Sequence, residues 1–411
     1  MSDNYSIIIK NGSCYINGKF QTTDIGIIGD KIKKIGNINH EGSKIFDASN
    51  KIVLPGVIDT QVHFREPGAN DAENLESGSR AAVAGGVTSV FEMPNTNPPT
   101  STFQEFNKKL EAAKNRMFCN YAFYFGATPN NMKELAIVDT LKGCCGVKLF
   151  AGSSTGNLLV SQEKDIEKVI SNSSKIISVH SEDENILLSR KKYIKDGDVH
   201  SHPIWRNEDC ALESTKRVVR IAQKYKKKIH ILHVTTKQEI DFFTEKRDNV
   251  TFEITPQHLT IYAPDCYDNL KTFSQMNPPL RSKDHYDRLW DAVDESLVST
   301  IGSDHAPHTK EEKNRKYPLS PSGMPGVQTL LPIMLDHVNK GKLKIENLIK
   351  LVCENPCDLF GIKNKGYIKE NFDADLTVID MNKEVVIKDD WIESKCGWTP
   401  FNNYKVKGFP V

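Results

Sequence analysis

From Ile52 onward the sequence alternates short apolar stretches with longer amphipathic ones, and this alternation limits the fold more than any other feature. Strand–helix alternation of this kind builds a parallel sheet whose crossovers are helices. Eight strand stretches are legible: Ile52–Ile58, Thr88–Glu92, Asn120–Phe125, Gly146–Phe150, Lys175–Val179, Lys228–Leu232, Val250–Ile254 and Leu297–Ile301. Eight βα units spread over about 250 residues are what a (β/α)8 TIM barrel requires, so the expected class is α/β. The runs Gln162–Ser171 and Cys210–Lys224 place apolar residues at helical spacing with charge opposite, as barrel helices do.

The flanks follow a different grammar. Residues 5–54 alternate short apolar runs with the turn pairs Asn11-Gly12, Asn17-Gly18 and Gly29-Asp30, which is the pattern of hairpins. Ala374–Ile379 and Lys383–Ile387 return to strand-like composition near the other end. Residues 1–54 and 365–411 are therefore expected to pair into one small discontinuous β-sandwich, leaving 55–364 as the barrel.

Charge narrows the ligand. Lys and Arg total 54 against 53 Asp and Glu, a net charge of +1, so no bulk attraction draws the chain to nucleic acid or to an anionic membrane. A small-molecule substrate is the expectation. No stretch approaches the roughly 18 apolar residues of a membrane helix, and the first residues lack a signal-peptide pattern, so a cytoplasmic protein is expected. Nine cysteines at scattered spacings, without a C-x-x-C, fit reduced thiols better than a disulfide frame.

Catalytic groups of a TIM barrel lie just past the C-terminal ends of its strands. Here polar clusters follow the strands in turn: Asp59-Thr-Gln61-Val-His63-Phe-Arg65, Met93-Pro-Asn95, Lys148, His180, His233, Thr255-Pro-Gln-His258 and Ser303-Asp304-His-Ala-Pro-His308. Three imidazoles and a carboxylate converging on one mouth suit zinc, which lowers the pKa of bound water to about 7. A lysine ammonium is no ligand, but CO2 can convert it to a carbamate with two anionic oxygens. Each residue also has a plainer reading. A lone histidine at a strand end is commonly a hydrogen-bonding residue, Lys148 could sit on the rim, Asp304 could cap a helix, and Arg65 could pair with a surface carboxylate. The run Lys310–Lys316 reads as a solvated loop. It is the joint placement that favours the metal centre.

These residues carry a resemblance. Asp59-x-Gln61-x-His63-x-Arg65-Glu-Pro-Gly, Glu92-Met-Pro-Asn95-Thr, Val147-Lys148, Val179-His180-Ser-Glu, Leu232-His233, Asn277-Pro-Pro-Leu-Arg281, Gly302-Ser-Asp304-His-Ala-Pro-His308 and Cys396-Gly-Trp-Thr-Pro-Phe401 together resemble the dihydroorotases of the amidohydrolase superfamily. The resemblance implies a zinc-dependent cyclic amide hydrolase that interconverts N-carbamoyl-L-aspartate and (S)-dihydroorotate in pyrimidine biosynthesis. It implies one or two Zn2+ held by His63, Lys148 as its carbamate, His180, His233 and Asp304, with Asp304 also the catalytic proton shuttle. Arg65 and Asn95, helped by His308, would take the substrate carboxylate, and Asn277 with the backbone near Gly323 would address the ring amides.

The sequence departs from the superfamily pattern at Gln61, where the first histidine of His-x-His is expected. A neutral amide is a poor zinc ligand beside imidazole, so the metal position using Gln61 and His63 is the weaker one. Two competing readings stand beside dihydroorotase. One is a hydantoinase, dihydropyrimidinase or allantoinase, which shares the metal centre but has no need of a carboxylate anchor at Arg65. The other is a catalytically impaired subunit scaffolding aspartate transcarbamoylase, against which the retention of Lys148, His180, His233, Asp304 and Arg65 argues. A homodimer is compatible with either.

Overall fold

The computed structural model describes residues 4–39, 44–154, 156–245 and 248–411. Five strands precede the barrel: β1 (Ile7–Ile16), β2 (Lys19–Ile28), β3 (Lys31–Ile35), β4 (Lys44–Asp47) and β5 (Ile52–Pro55). The barrel strands are β6 (Val57–Val62), β7 (Val87–Glu92), β8 (Asn120–Gly126), β9 (Cys144–Phe150), β10 (Ile177–His180), β11 (Ile229–Ile231), β12 (Val250–Ile254) and β13 (Thr300–Ile301). Two strands follow, β14 (Leu376–Val386) and β15 (Lys405–Pro410).

The eight barrel strands pair in sequence order from β6 to β13, with parallel register throughout. The ring closes through a parallel bridge between Val62 and His305, beside a 2.7 Å hydrogen bond from His63 N to His305 O. Sheets covered on both faces need apolar residues on both, and β9 is buried along its whole length. One large cluster, from Val57 and Val90 through Val147, Ile177 and Ile254 to Leu330, joins strands and outer helices. The expected α/β barrel is therefore what forms. Among the described residues no helix is long and apolar enough to cross a membrane. All nine cysteines are buried and unpaired.

The small β domain also forms from both ends of the chain. Its sheet runs β15-β14-β5-β1-β2-β3, with β4 on β1. β1 is long enough to pair with two parallel partners, β4 at Ile7–Lys10 and β5 at Ser13–Cys14. Here the first barrel strand needs correction. The apolar run Ile52–Ile58 is two strands: β5 joins the small sheet, opposite Leu376–Ile379 of β14, and the barrel begins only at Val57. Gly56 separates them, and a Cβ there would stand 2.2 Å from Thr88 Oγ1. Hydropathy is blind to this break because both strands are apolar.

A buried ion pair ties the barrel to the segment that carries Asn95. Lys109, on the helix Phe103–Ala113, pairs with Glu92 at the end of β7. Both side chains are out of solvent, and Lys109 Nζ also donates to Met93 O at 3.1 Å and Thr100 Oγ1 at 3.3 Å. Removing one partner strands a buried charge. Lys109→Met is expected to cost about 3–5 kcal/mol in urea unfolding, and the double change with Glu92→Gln distinctly less. A single-variant loss below about 1 kcal/mol would show that water reaches Glu92.

Candidate active site

The candidate residues meet at the C-terminal mouth of the barrel. One cavity is lined by Gln61, His63, Arg65, Asn95, Lys148, His180, His233, Asn277, Asp304 and Gly323. His308 stands one layer back, its Nε2 3.2 Å from Arg65 Nη2. Phe150, Ser154, Ala306 and Ser322 complete the lining and were not singled out by the sequence.

Backbone conformation helps to bring these groups together. Arg65, His233 and Asp304 each lie within three residues of the end of a barrel strand, and each has left-handed φ (61°, 40° and 45°). A non-glycine residue there costs about 1–2 kcal/mol. Such outliers persist where the surroundings over-determine them and cluster at functional sites.

On one side of the cavity stand His63 and Asp304. His63 Nδ1 lies 2.7 Å from Asn95 Oδ1 and, as the donor of that bond, leaves Nε2 as an acceptor facing Asp304 Oδ1 at 3.2 Å. Gln61 Nε2 donates to the same carboxylate oxygen at 2.8 Å, while Gln61 Oε1 is buried with no hydrogen-bond partner among the described residues. Burial pushes the Asp304 carboxyl above the usual range.

On the other side His180 Nε2 meets Glu182 Oε2 at 2.9 Å, which orients Nδ1 toward His233 Nε2, 3.1 Å away. Among the described residues His233 Nδ1 has no hydrogen-bond partner. Burial holds His63, His180 and His233 below the ordinary histidine pKa, so all three are neutral, the form a metal needs. Lys148 lies between the two sides on β9, buried, its Nζ 4.6 Å from the Phe150 ring centre. Among the described residues it forms no ion pair, and burial lowers its pKa.

The orientation of His180 rests on an ion pair that the sequence did not reveal. Burial alone would raise the Glu182 carboxyl, but Arg206 and His180 overcome this and hold it well below the carboxylate range. Arg206 Nη2 donates to Glu182 Oε2 at 2.6 Å and to Ser153 O at 2.5 Å. A carboxylate behind a ligating imidazole fixes its tautomer. Glu182 follows His180 by two residues and was visible in the motif, but Arg206 lies 24 residues further and only folding shows their contact.

The run 310–316 also needs correction: Lys310, Glu311 and residues 314–316 are exposed as expected, but the run opens as a helix and one of its lysines turns inward. Thr309 and Glu312 form a capping box for a short helix, Lys310–Lys313, and Lys313 is fully buried. The Thr-x-x-Glu spacing is a readable helix start that the charge run concealed. Gly323 lines the cavity, but its N–H is spent on Gln275 O at 2.9 Å. What suits a glycine there is its φ of +144° and the closeness of Ala306 O, 2.3 Å from where a Cβ would stand. Asn277 turns Nδ2 toward Ser154 Oγ at 3.5 Å, while its Oδ1 faces His202 Nε2 at 3.1 Å.

The donor set fits a metal ion. Neutral imidazoles, one carboxylate and an unpartnered imidazole nitrogen share one cavity, and His180 already has its carboxylate support. Among the described residues no three His, Cys, Asp or Glu side chains form an ion site by themselves.

Comparison with known proteins gives the same direction. The amidohydrolase family model matches residues 52–400. The dihydroorotase of Methanosarcina acetivorans is 34% identical over 412 residues, spanning 96% of this chain and 88% of that protein. The dihydroorotase of Pyrococcus furiosus is 35% identical over 386 residues, 93% of this chain and 85% of its own. Among solved structures, the L-hydantoinase (dihydropyrimidinase) of Arthrobacter aurescens superposes with a TM-score of 0.93 at 28% identity, covering 99% of this chain and 94% of that one.

Proposed function

Since the chain belongs to the amidohydrolase family, and within it to the dihydroorotases, we propose that it interconverts N-carbamoyl-L-aspartate and (S)-dihydroorotate as a step of pyrimidine synthesis. The observation that carries this reading is the state of Arg65. Its guanidinium is buried on the cavity wall, donating to Pro307 O at 3.0 Å and lying near His308, and among the described residues it makes no ion pair. A buried cation without a carboxylate partner is costly unless a ligand supplies one. Dihydroorotate carries a carboxylate on its ring, whereas dihydrouracil and unsubstituted hydantoin do not. The planar fork of arginine matches a carboxylate with two parallel hydrogen bonds.

One or two zinc ions would be held by His180, His233 and a carbamate on Lys148, with His63 and Asp304 opposite. A bound metal supplies Lewis acidity to the amide carbonyl and to the attacking water. The carbamate forms when the neutral Lys148 amine attacks CO2, making an N–C bond and losing one proton, and burial favours that neutral amine.

In ring opening, Asp304 accepts a proton from the attacking water and passes it to the ring nitrogen as the amide C–N bond breaks. Gln61 Nε2 fixes the carboxylate oxygen on which this depends. Arg65 and Asn95 hold the substrate carboxylate, and Asn277 faces the ring. In ring closure the ureido nitrogen attacks the side-chain carboxyl carbon, forming the C–N bond, and one carboxyl oxygen leaves as water, carrying the proton lost by the nitrogen and one added proton.

Substrate comparison tests the reading. The protein is expected to hydrolyse dihydroorotate and to leave dihydrouracil and hydantoin nearly untouched. Arg65→Lys should raise KM for dihydroorotate by about tenfold to a hundredfold with a smaller change in kcat, because the charge remains and the two-pronged grip is lost. Preferred turnover of a ring without a carboxylate would make the protein a hydantoinase-type enzyme instead.

A further inference from the structure

Lys313 sits in an exposed-looking charge run, yet its side chain reaches inward and is fully buried. The ammonium donates to three carbonyl oxygens, Gln275 at 3.0 Å, Pro321 at 2.9 Å and Gly323 at 3.0 Å. Three N–H donors meet three acceptors, a match that only the protonated amine provides. The Trp398 ring centre lies 5.8 Å from Nζ.

The two segments joined in this way are the wall of the cavity. Gln275 O also accepts from Gly323 N at 2.9 Å, and the Gln275 amide donates to Ser320 O at 2.9 Å and Ser322 Oγ at 3.0 Å. Ser322 and Gly323 line the cavity, as does Asn277, two residues beyond Gln275. Ser322 O lies 3.1 Å from His308 Nε2, so the same wall abuts the neighbour of Arg65. An apolar side chain in place of the ammonium would take the Lys313 donor from all three carbonyls and leave Gln275 O with only the Gly323 N–H.

We propose that Lys313 is a positioning residue for substrate, a buried cation that pins residues 275–277 to residues 321–323 as the surface against which the ring is read. The proposal deepens the dihydroorotase reading and rests on it. Lys313 touches neither the metal-ligating groups nor the site of proton transfer, so its removal should act on ring placement.

The test compares the unaltered full chain with Lys313→Met and Lys313→Arg. The unaltered protein is first assayed on dihydroorotate, dihydrouracil and hydantoin, and whichever ring it opens is used for the variants. A failure of the dihydroorotase reading is thus seen before Lys313 is judged. Lys313→Met is expected to raise KM about tenfold or more while kcat stays within about threefold and metal content is unchanged. Lys313→Arg, which keeps the charge but cannot bring one nitrogen to all three carbonyls, should fall between. A purely structural role would lower the folded fraction and kcat in proportion and leave KM alone. A wild-type KM in the folded Lys313→Met protein overturns the proposal. If that variant does not fold, Lys313→Arg decides alone: a raised KM supports the proposal and a wild-type KM overturns it.

Discussion

Lys148→Ala is expected to lower turnover by about a thousandfold or more, equivalent to about 4 kcal/mol of barrier, and to strip the protein of most of its metal. The argument is one of donors. His180 and His233 face each other at 3.1 Å and supply only neutral nitrogen, and among the described residues no carboxylate completes a site with them. Lys148 lies on the strand beside β10, with Phe150 opposite His180 in the register. An alanine there leaves the imidazoles but removes the anionic oxygens that a carbamate would bring. Propionate or acetate supplied with the metal should restore part of the activity by occupying the vacated space. Metal analysis and dihydroorotate assays read both effects. Full activity and full metal in Lys148→Ala would eliminate the carbamate from the mechanism.

Asp304→Asn should lower kcat by about 10²–10⁴-fold, the range ascribed to a positioned proton-transfer group, with KM within a few-fold of the unaltered protein. Asparagine preserves shape and can still meet Gln61, but it has no basic oxygen to take a proton from water. Because Asp304 also faces His63 Nε2 at 3.2 Å, metal content must be measured in the same preparation. A kcat loss at normal metal content assigns the effect to proton transfer. Equal losses in kcat and KM would mean that Asp304 holds substrate instead.

The barrel was legible because its strands are apolar on both faces while their ends are polar, and that contrast survives in one dimension. Hence Gln61, His63, Lys148, His180, His233 and Asp304 could be grouped before any contact was known. What failed was hidden from local pattern. Gly56 divides two apolar strands that belong to different sheets, and hydropathy joins them. Lys313 looked solvated because its neighbours are, although one face of a four-residue helix points inward. The left-handed turns at Arg65, His233 and Asp304 carry no glycine to mark them, and a histidine or aspartate adopts that conformation too seldom to reveal it. Arg206 meets Glu182 only after the intervening stretch, with its short helices Glu184–Arg190 and Ser201–Trp205, has packed.

The pairing of β5 with β14 has a consequence for how the protein comes into being. Val53 and Leu54 stand opposite Val378 and Thr377, more than 300 residues later in the chain. During synthesis at about 5–20 residues per second, β5 leaves the ribosome well before its partner strand exists. Contacts of such long sequence separation form late and slow folding. The apolar edge of β5 therefore waits exposed while the barrel residues are made, and the last strands to emerge are the ones that cover it. A ribosome stalled before residue 376 would hold a chain whose barrel residues are all present and whose small sheet still lacks one side.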